Sequence, residues 1–178
     1  MPLTITEALA EIKTIGKRIE AKRTFINGIL WRPEAIRDPH EKDGGSSQLI
    51  ARERQAIGDL ETRVVNLRRA IQSANEITPV AINGVSRCIA DWLVWRRDVA
   101  PGFKTHLAAI RQSLANMRDQ ARKQGVGIAA TADAAQRNDV VVNVNEQALA
   151  AEIEGLEDTL GQLDGQLSLK NATVVLQE

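Results

Sequence analysis

Four stretches of the chain set mostly aliphatic residues at alternating three- and four-residue steps, and this repeat limits the possible fold more than any other feature. The first reads Ile5, Ala8, Ile12, Ile15, Ile19, Lys22, Ile26, Ile29, and the second Ile57, Leu60, Val64, Leu67, Ile71, Ala74. The third reads Ile89, Leu93, Arg96, Ala100, Phe103, Leu107, Ile110, Leu114, Met117, Ala121, and the fourth Leu149, Ile153, Leu156, Leu160, Leu163, Leu167. A 3.5-residue period keeps one seam of a helix turned toward a partner helix. The expectation is a mainly α fold: elongated antiparallel helical hairpins or a four-helix coiled-coil bundle, with short β-strands at the ends. Residues 1–178 are read as one elongated domain.

Signals at the segment ends refine the boundaries. Thr4 followed by Glu7 reads as a capping box, with Leu3 as a staple before it. The first helix is predicted over 5–30, roughly 38 Å long at 1.5 Å per residue. Pro33, Pro39, Gly44, Gly45 and Ser46 then mark a polar loop, and Ser46 or Ser47 is expected to cap a second helix over 47–75. Alternation across 77–82 followed by Asn83-Gly84 predicts a short strand and tight turn. Ser86 is expected to cap a third helix over 86–124. Pro101-Gly102 should break it, yet Ala100 and Phe103 hold the heptad phase, so one kinked helix is predicted.

Residues 124–139 are small and polar and read as a flexible loop. Val140 to Val144 reads as a strand, Asn145 as the cap of a fourth helix over 146–170, and 172–176 as a final strand. In an up-down-up-down arrangement strands 77–82 and 172–176 would pair. Strand 140–144 would be left with a free edge that invites a neighbouring subunit.

Charge points the same way. Residues 85–124 carry eight basic and three acidic side chains, whereas 139–178 carry eight acidic and one basic. Opposite stripes beside heptad seams select partner and orientation, although each exposed pair adds only about 0.2–1 kcal/mol. Lys22 and Arg96 fall on seam positions. They either fix register as polar insertions or lay their stems along the seam with the charge in water.

Several classes of function are disfavoured. The 23 basic and 23 acidic residues cancel, whereas a dedicated nucleic-acid binder usually shows a basic surplus. No apolar run reaches the roughly 18 residues that span a bilayer, and the first residues do not read as a signal peptide. Synthesis and residence in the cytoplasm are expected, with residence in a virion if the gene belongs to a phage. The single cysteine, Cys88, excludes an intrachain disulfide and reads as a half-buried structural thiol.

Candidate chemistry is sparse. Gly125-Val126-Gly127-Ile128-Ala129-Ala130 has some letters of a dinucleotide-binding loop but follows a helix instead of a strand. His40 stands in the loop near Asp38, Glu41 and Asp43, and His106 stands apart; neither has a metal-ligand spacing. No catalytic residue, cofactor, metal or small-molecule substrate is expected. The candidate interface residues are Trp92, Trp95, Arg96 and Arg97, together with Val140, Val142 and Val144. Trp92 flanks the seam and has a core role by default. Trp95 falls away from it, and an exposed tryptophan beside two arginines suits a binding surface. Protein contact is favoured there over membrane contact or stacking on bases.

Two motifs carry a family resemblance. Ala81-Ile82-Asn83-Gly84 precedes Ile89-Ala90-Asp91-Trp92-Leu93 and Arg96-Arg97-Asp98. Later come Val140 to Val144, Leu149, Leu156, Leu163-Asp164, and Asn171-Ala172-Thr173-Val174-Val175-Leu176. In these and in the order of its elements the chain resembles the septicolysin-like family of small helical proteins of bacteria and phages. It departs from that pattern in Ala172, where an aromatic is expected, and in the Pro101-Gly102 insertion. The helical seams and the free strand edge point to a non-enzymatic structural protein that self-associates through helical hairpins and strand exchange, and the resemblance adds its setting. It would be a phage virion component, such as a tail-fibre, adaptor or capsid-accessory subunit, in contact with other copies and other virion proteins. A membrane-active, cytolysin-like protein and a cytoplasmic coiled-coil adaptor are the alternatives.

Overall fold

The computed structural model describes residues 2–129, 135, 136 and 138–177. The fold is mainly helical, with helix accounting for 72% of it beside a few short strands. Helix α1 spans Ile5–Gly28 and α2 spans Ser46–Ile77; a hairpin of β1 (Pro79–Ile82) and β2 (Val85–Cys88) follows. Next come α3 (Ile89–Val94), a π-helical turn (Trp95–Val99) and α4 (Ala100–Gln124), which run on without a gap. Two-residue strands β3 (Ile128–Ala129) and β4 (Val140–Val141) precede α5 (Glu146–Thr173). The chain read as one elongated domain divides into two compact units, Met1–Thr78 with Leu167–Glu178, and Pro79–Gln166.

In the first unit, the Thr4 hydroxyl accepts from the Glu7 N–H, and the Glu7 carboxylate accepts from the Thr4 N–H at 2.8 Å, closing the expected capping box. Bonds from Thr4 hold the Glu7 carboxyl below the usual carboxylate range, the backbone N–H first. Helices α1 and α2 pack antiparallel around Ile5, Ala8, Ile15, Ile19, Leu67 and Ala74. Ion pairs Lys22–Glu53 (2.5 Å), Arg23–Glu61 (3.0 Å) and Arg63–Glu11 (2.9 Å) cross between them. Glu11, early in α1, meets Arg63, whereas Lys22, late in α1, meets Glu53, as antiparallel helices require. Lys22 is thus a cross-hairpin ion pair at the margin of the seam.

The cap of α2 differs from expectation. Neither serine supplies it: Ser46 is already helical, and Gly45 at the N-cap makes no side-chain bond. Asp38, eight residues back, accepts from the Ser46 N–H at 2.7 Å, the Ser46 hydroxyl at 2.6 Å and the His40 N–H at 2.9 Å. A carboxylate facing the open N–H groups of a helix start is favoured by hydrogen bonding and by the helix dipole. The Ser46 hydroxyl first, then the backbone N–H groups of Ser46 and His40, lower the Asp38 carboxyl to about 2.

Two strand expectations are corrected. Segment 77–82 does not pair with 172–176; β1 pairs antiparallel with β2, Val80 opposite Arg87 and Ile82 opposite Val85. The reason is local: Asn83 (φ 49) and Gly84 (φ 79) adopt the double positive-φ turn that closes a two-residue hairpin. Ser86 therefore lies in β2, and the cap of α3 is the half-buried Cys88, whose sulfur accepts from the Asp91 N–H. At the other end, α5 continues to Thr173. Val175 then bridges Thr4, Ile5 N–H donates to Val174 O, and Leu176 N–H to Leu3 O. Leu176 enters the α1–α2 core, so burial of a leucine at each side of the bridge holds this segment against the start of α1.

Segment 140–144 is also corrected. Only Val140 and Val141 are strand, and they pair in parallel with Ile128 and Ala129. The edge expected to stand free is therefore occupied along one side by the chain itself. Gly125, left-handed at φ 65, ends α4, with Val126 N–H donating to Ala121 O. The flexible loop expected over 124–139 falls partly on 130–134 and 137, outside the described residues. Asn145 caps α5 as expected, its side-chain oxygen accepting from the Ala148 N–H.

Candidate functional site

The third heptad stretch is where the sequence concentrated its candidates, and one backbone feature rearranges them. Ala100 N–H donates to Trp95 O, five residues back. A π turn takes one more residue than an α turn, so side-chain phase slips by one position across it. Pro101 contributes, because its missing N–H would have bonded the Arg97 carbonyl in an α-helix. Counting back from the buried Ala100, the seam falls on Trp95 instead of Arg96. The unshifted heptad expected here is therefore wrong: Leu93 and Phe103 are exposed, and Trp95 joins the core cluster of Ala100, Leu107, Leu149 and Leu156.

This slip dismantles the exposed Trp–Arg surface expected from sequence. Trp92 is 3% exposed and its indole N–H donates to Val80 O at 3.0 Å. Trp95 meets Trp92 edge-on, with ring centroids 5.5 Å apart, and Arg87 lies over the Trp92 ring at 5.2 Å. These contacts fasten the β1–β2 hairpin to α3. Arg96 reaches Asp164 at 2.7 Å, and Arg97 makes a two-pronged contact with its neighbour Asp98. Hydrogen bonding to Asp98 raises the Arg97 pKa, and the same bonds lower that of Asp98. The structure thus brings Trp92 and Trp95 together and turns both arginines to carboxylates. Val140 and Val142 are half-buried, and Val144 is exposed just before α5.

The basic and acidic stripes do meet. Lys104–Glu157 at 3.6 Å, Arg118–Glu146 and Arg96–Asp164 cross between α3–α4 and α5, again with partner numbers running in opposite directions. Between them runs a groove. A cleft of about 420 Å³ is lined by Leu114, Ala115, Leu149, Ala150 and Ile153, with Arg111 and Arg118 on one wall and Glu146, Glu154 and Glu157 on the other. A smaller one of about 100 Å³ shares Arg111, Ile153 and Glu157 and continues past Lys104, Leu107 and Ala108. Sequence reasoning found both charged stripes but not that an apolar floor stays half-covered between them. The signal was present in Ala108, Ala115 and Ala150, which are too small to close the space above the seam.

A second surface was missed altogether. Trp31, in the loop after α1, is 80% exposed, with Leu30 and Ile36 exposed nearby. A cleft of about 590 Å³ beside it is lined by Trp31, Arg32, Glu34, Asp38, Ser47 and Ile50, among others. The His40 ring packs edge-on against Phe25 at 5.9 Å, and the Asp38 carboxylate is taken up by Ser46 and His40. Among the described residues, no group of three or more His, Cys, Asp or Glu could hold a metal ion. Among them also, no helix is long and apolar enough to cross a membrane. Gly125 and Gly127 follow a helix and lead into β3, so the strand-turn-helix order of a dinucleotide site is not met.

Comparison with known proteins adds one likeness. A crystal structure of a functionally unknown conserved protein from Corynebacterium diphtheriae is similar over 99% of this chain and 100% of its own, with 18% identity and a TM-score of 0.47. No protein-family profile matches the sequence, and no curated protein does.

Proposed function

We propose that the chain is a non-enzymatic structural protein that self-associates through helical faces, and that it serves as a subunit of a phage particle. The observation that supports self-association is the α4–α5 groove, where Leu114 and Ile153 lie half-covered between a basic and an acidic wall. Aliphatic side chains at heptad spacing are stabilised by further burial, at about 25 cal/mol per Å² of apolar surface removed from water. The four-helix coiled-coil bundle belongs to this proposal as an assembly of hairpins. The virion role, as tail-fibre, adaptor or capsid-accessory subunit, rests on the septicolysin-like resemblance and on fold-level analogy. Strand β4 retains one outward side in this reading, and Val144, beyond it, is exposed.

Mass in solution tests the proposal. Sedimentation equilibrium across a micromolar concentration range is expected to return a discrete multiple of 19.5 kDa. A monomer throughout would reject it. A membrane-active reading is favoured by a different observation, the exposed Leu30, Trp31 and Ile36, since tryptophan and aliphatic residues suit the bilayer interface. Leakage of dye-loaded liposomes at micromolar protein would move the assignment to that reading; intact liposomes would remove it.

A further inference from the structure

We infer that the α4–α5 groove receives the same groove of a second copy, so that two hairpins close into an all-antiparallel four-helix bundle. The inference rests on the self-association reading and deepens it by naming the surface and its pairing.

Charge complementarity identifies the occupant. The basic wall repeats at heptad spacing through Lys104, Arg111 and Arg118, and the opposite wall is acidic. Lys104 and Arg118 already reach Glu157 and Glu146 across the groove. Arg111 and Glu154, exposed between these pairs, have no ion-pair partner among the described residues. Whatever lies in the groove must offer an acidic edge to α4 and a basic edge to α5. The hairpin itself has those edges.

Symmetry then chooses the arrangement. A two-fold axis parallel to the helices stacks α4 of each copy on α5 of the other, with every neighbour antiparallel and positions along the axis unchanged. Arg111 of each copy then lies near Glu154 of the other, twice, and the two apolar floors face one another. An axis crossing the helices would stack α4 on α4 and set base against base. The exposed alanines of the floor, Ala115 and Ala150, allow close approach of the opposing helices. A face two helices wide, each about 10 Å across, and about 38 Å long for the 25 residues of α4 offers roughly 750 Å² per copy. That approaches the roughly 800 Å² per partner of a standard stable interface.

The test is a charge exchange on the full chain. Arg111→Glu and Glu154→Arg are each expected to raise the self-association Kd at least about tenfold, because like charges then meet at both symmetry-related positions. An equimolar mixture of the two variants is expected to recover wild-type affinity as a one-to-one heterodimer, since both contacts are again opposite in sign. Wild type that is monomeric throughout would overturn the self-association reading and this inference together. Associating wild type whose affinity neither variant weakens, or weakened variants that do not recover on mixing, would overturn the groove alone. Ala150→Arg, at an exposed helical position, gives an independent reading should a charge reversal disturb folding. It is expected to block the groove and yield monomer, and unchanged association would refute the groove as the interface.

Discussion

The two helical hairpins follow one plan and complete it to different degrees. In each, antiparallel helices bury aliphatic residues and carry ion pairs at the margin. The α1–α2 hairpin buries Ile5, Ala8, Ile15, Ile19, Leu67 and Ala74, and Leu176 from the end of the chain is added to that seam. The core cluster between α4 and α5 is smaller, Ala100, Leu107, Leu149 and Leu156, with Ile110, Leu114, Ile153 and Leu160 partly covered against it. The cleft beside α1 and α2 sets Ile26, Leu30, Ile50 and Ile57 among Arg23, Asn27, Arg54 and Glu61, and the α4–α5 groove sets Leu114, Leu149 and Ile153 between its charged walls. Ion pairs at the margin orient both pairs of helices, and Leu176, brought in from a distant segment, enlarges the cluster of the first.

The comparison can be broken first at its cores. Leu67→Ala is expected to cost about 4–5 kcal/mol, and Leu107→Ala about 2–3, because a looser surround relaxes further around the cavity. Both leucines are almost fully buried, at 1% and 2% exposure. Urea denaturation of the two variants decides the matter, and equal losses would show that the seams are packed alike.

Trp92→Phe comes next. It removes the indole donor to Val80 O, whose carbonyl keeps its place opposite Arg87 in the ladder, so the cost is that of one hydrogen bond, about 0.5–1.5 kcal/mol. Loss of amide protection should concentrate in β1 and α3 and spare α1 and α2. Uniform loss across both units would contradict the assignment of Trp92 as a fastening of the hairpin.

Acid titration sharpens the difference through Asp38. Its folded carboxyl titrates near 2, below the ordinary value of 3.8, so the folded state binds that proton less readily than the unfolded chain. The contribution of Asp38 to stability is then full above about pH 4 and is lost as the pH falls through 2. Asp38→Asn should be less stable than wild type near neutrality, and the gap should narrow between those two pH values. A gap that holds constant on acidification would exclude the carboxylate as the source. The smallest effect is expected of Trp31→Ala, which should change stability by less than about 0.5 kcal/mol, since the ring is mostly in water. A larger loss in thermal unfolding would place Trp31 in a packed setting.

How far the sequence could be read depended on the distance over which each interaction acts. Thr4 with Glu7, Asn145 with the start of α5, and the Asn83-Gly84 turn were legible because every partner lies within four residues. The charged walls of α4 and α5 were legible as stripes, and they do pair. Trp95 was misplaced because the π turn before Pro101 shifts the helical phase by one residue, and no apolar repeat announces such a shift. The partner of β1 was misassigned although its turn was recognised. Val85-Ser86-Arg87-Cys88 lacks an alternating apolar pattern, yet a double positive-φ turn dictates the returning strand. Asp38 escaped notice as a cap because it lies eight residues before the helix start it satisfies.

The amino-acid order by itself determined the helical rods, two of their caps and the sign of charge along each edge. These arise from contacts one or two turns apart, which the chain makes wherever it goes. Tertiary structure alone decided that Val175 meets Thr4 and that Val140 lies beside Ile128. Those outcomes depend on segments distant along the chain competing for the same open backbone groups and the same uncovered apolar surface.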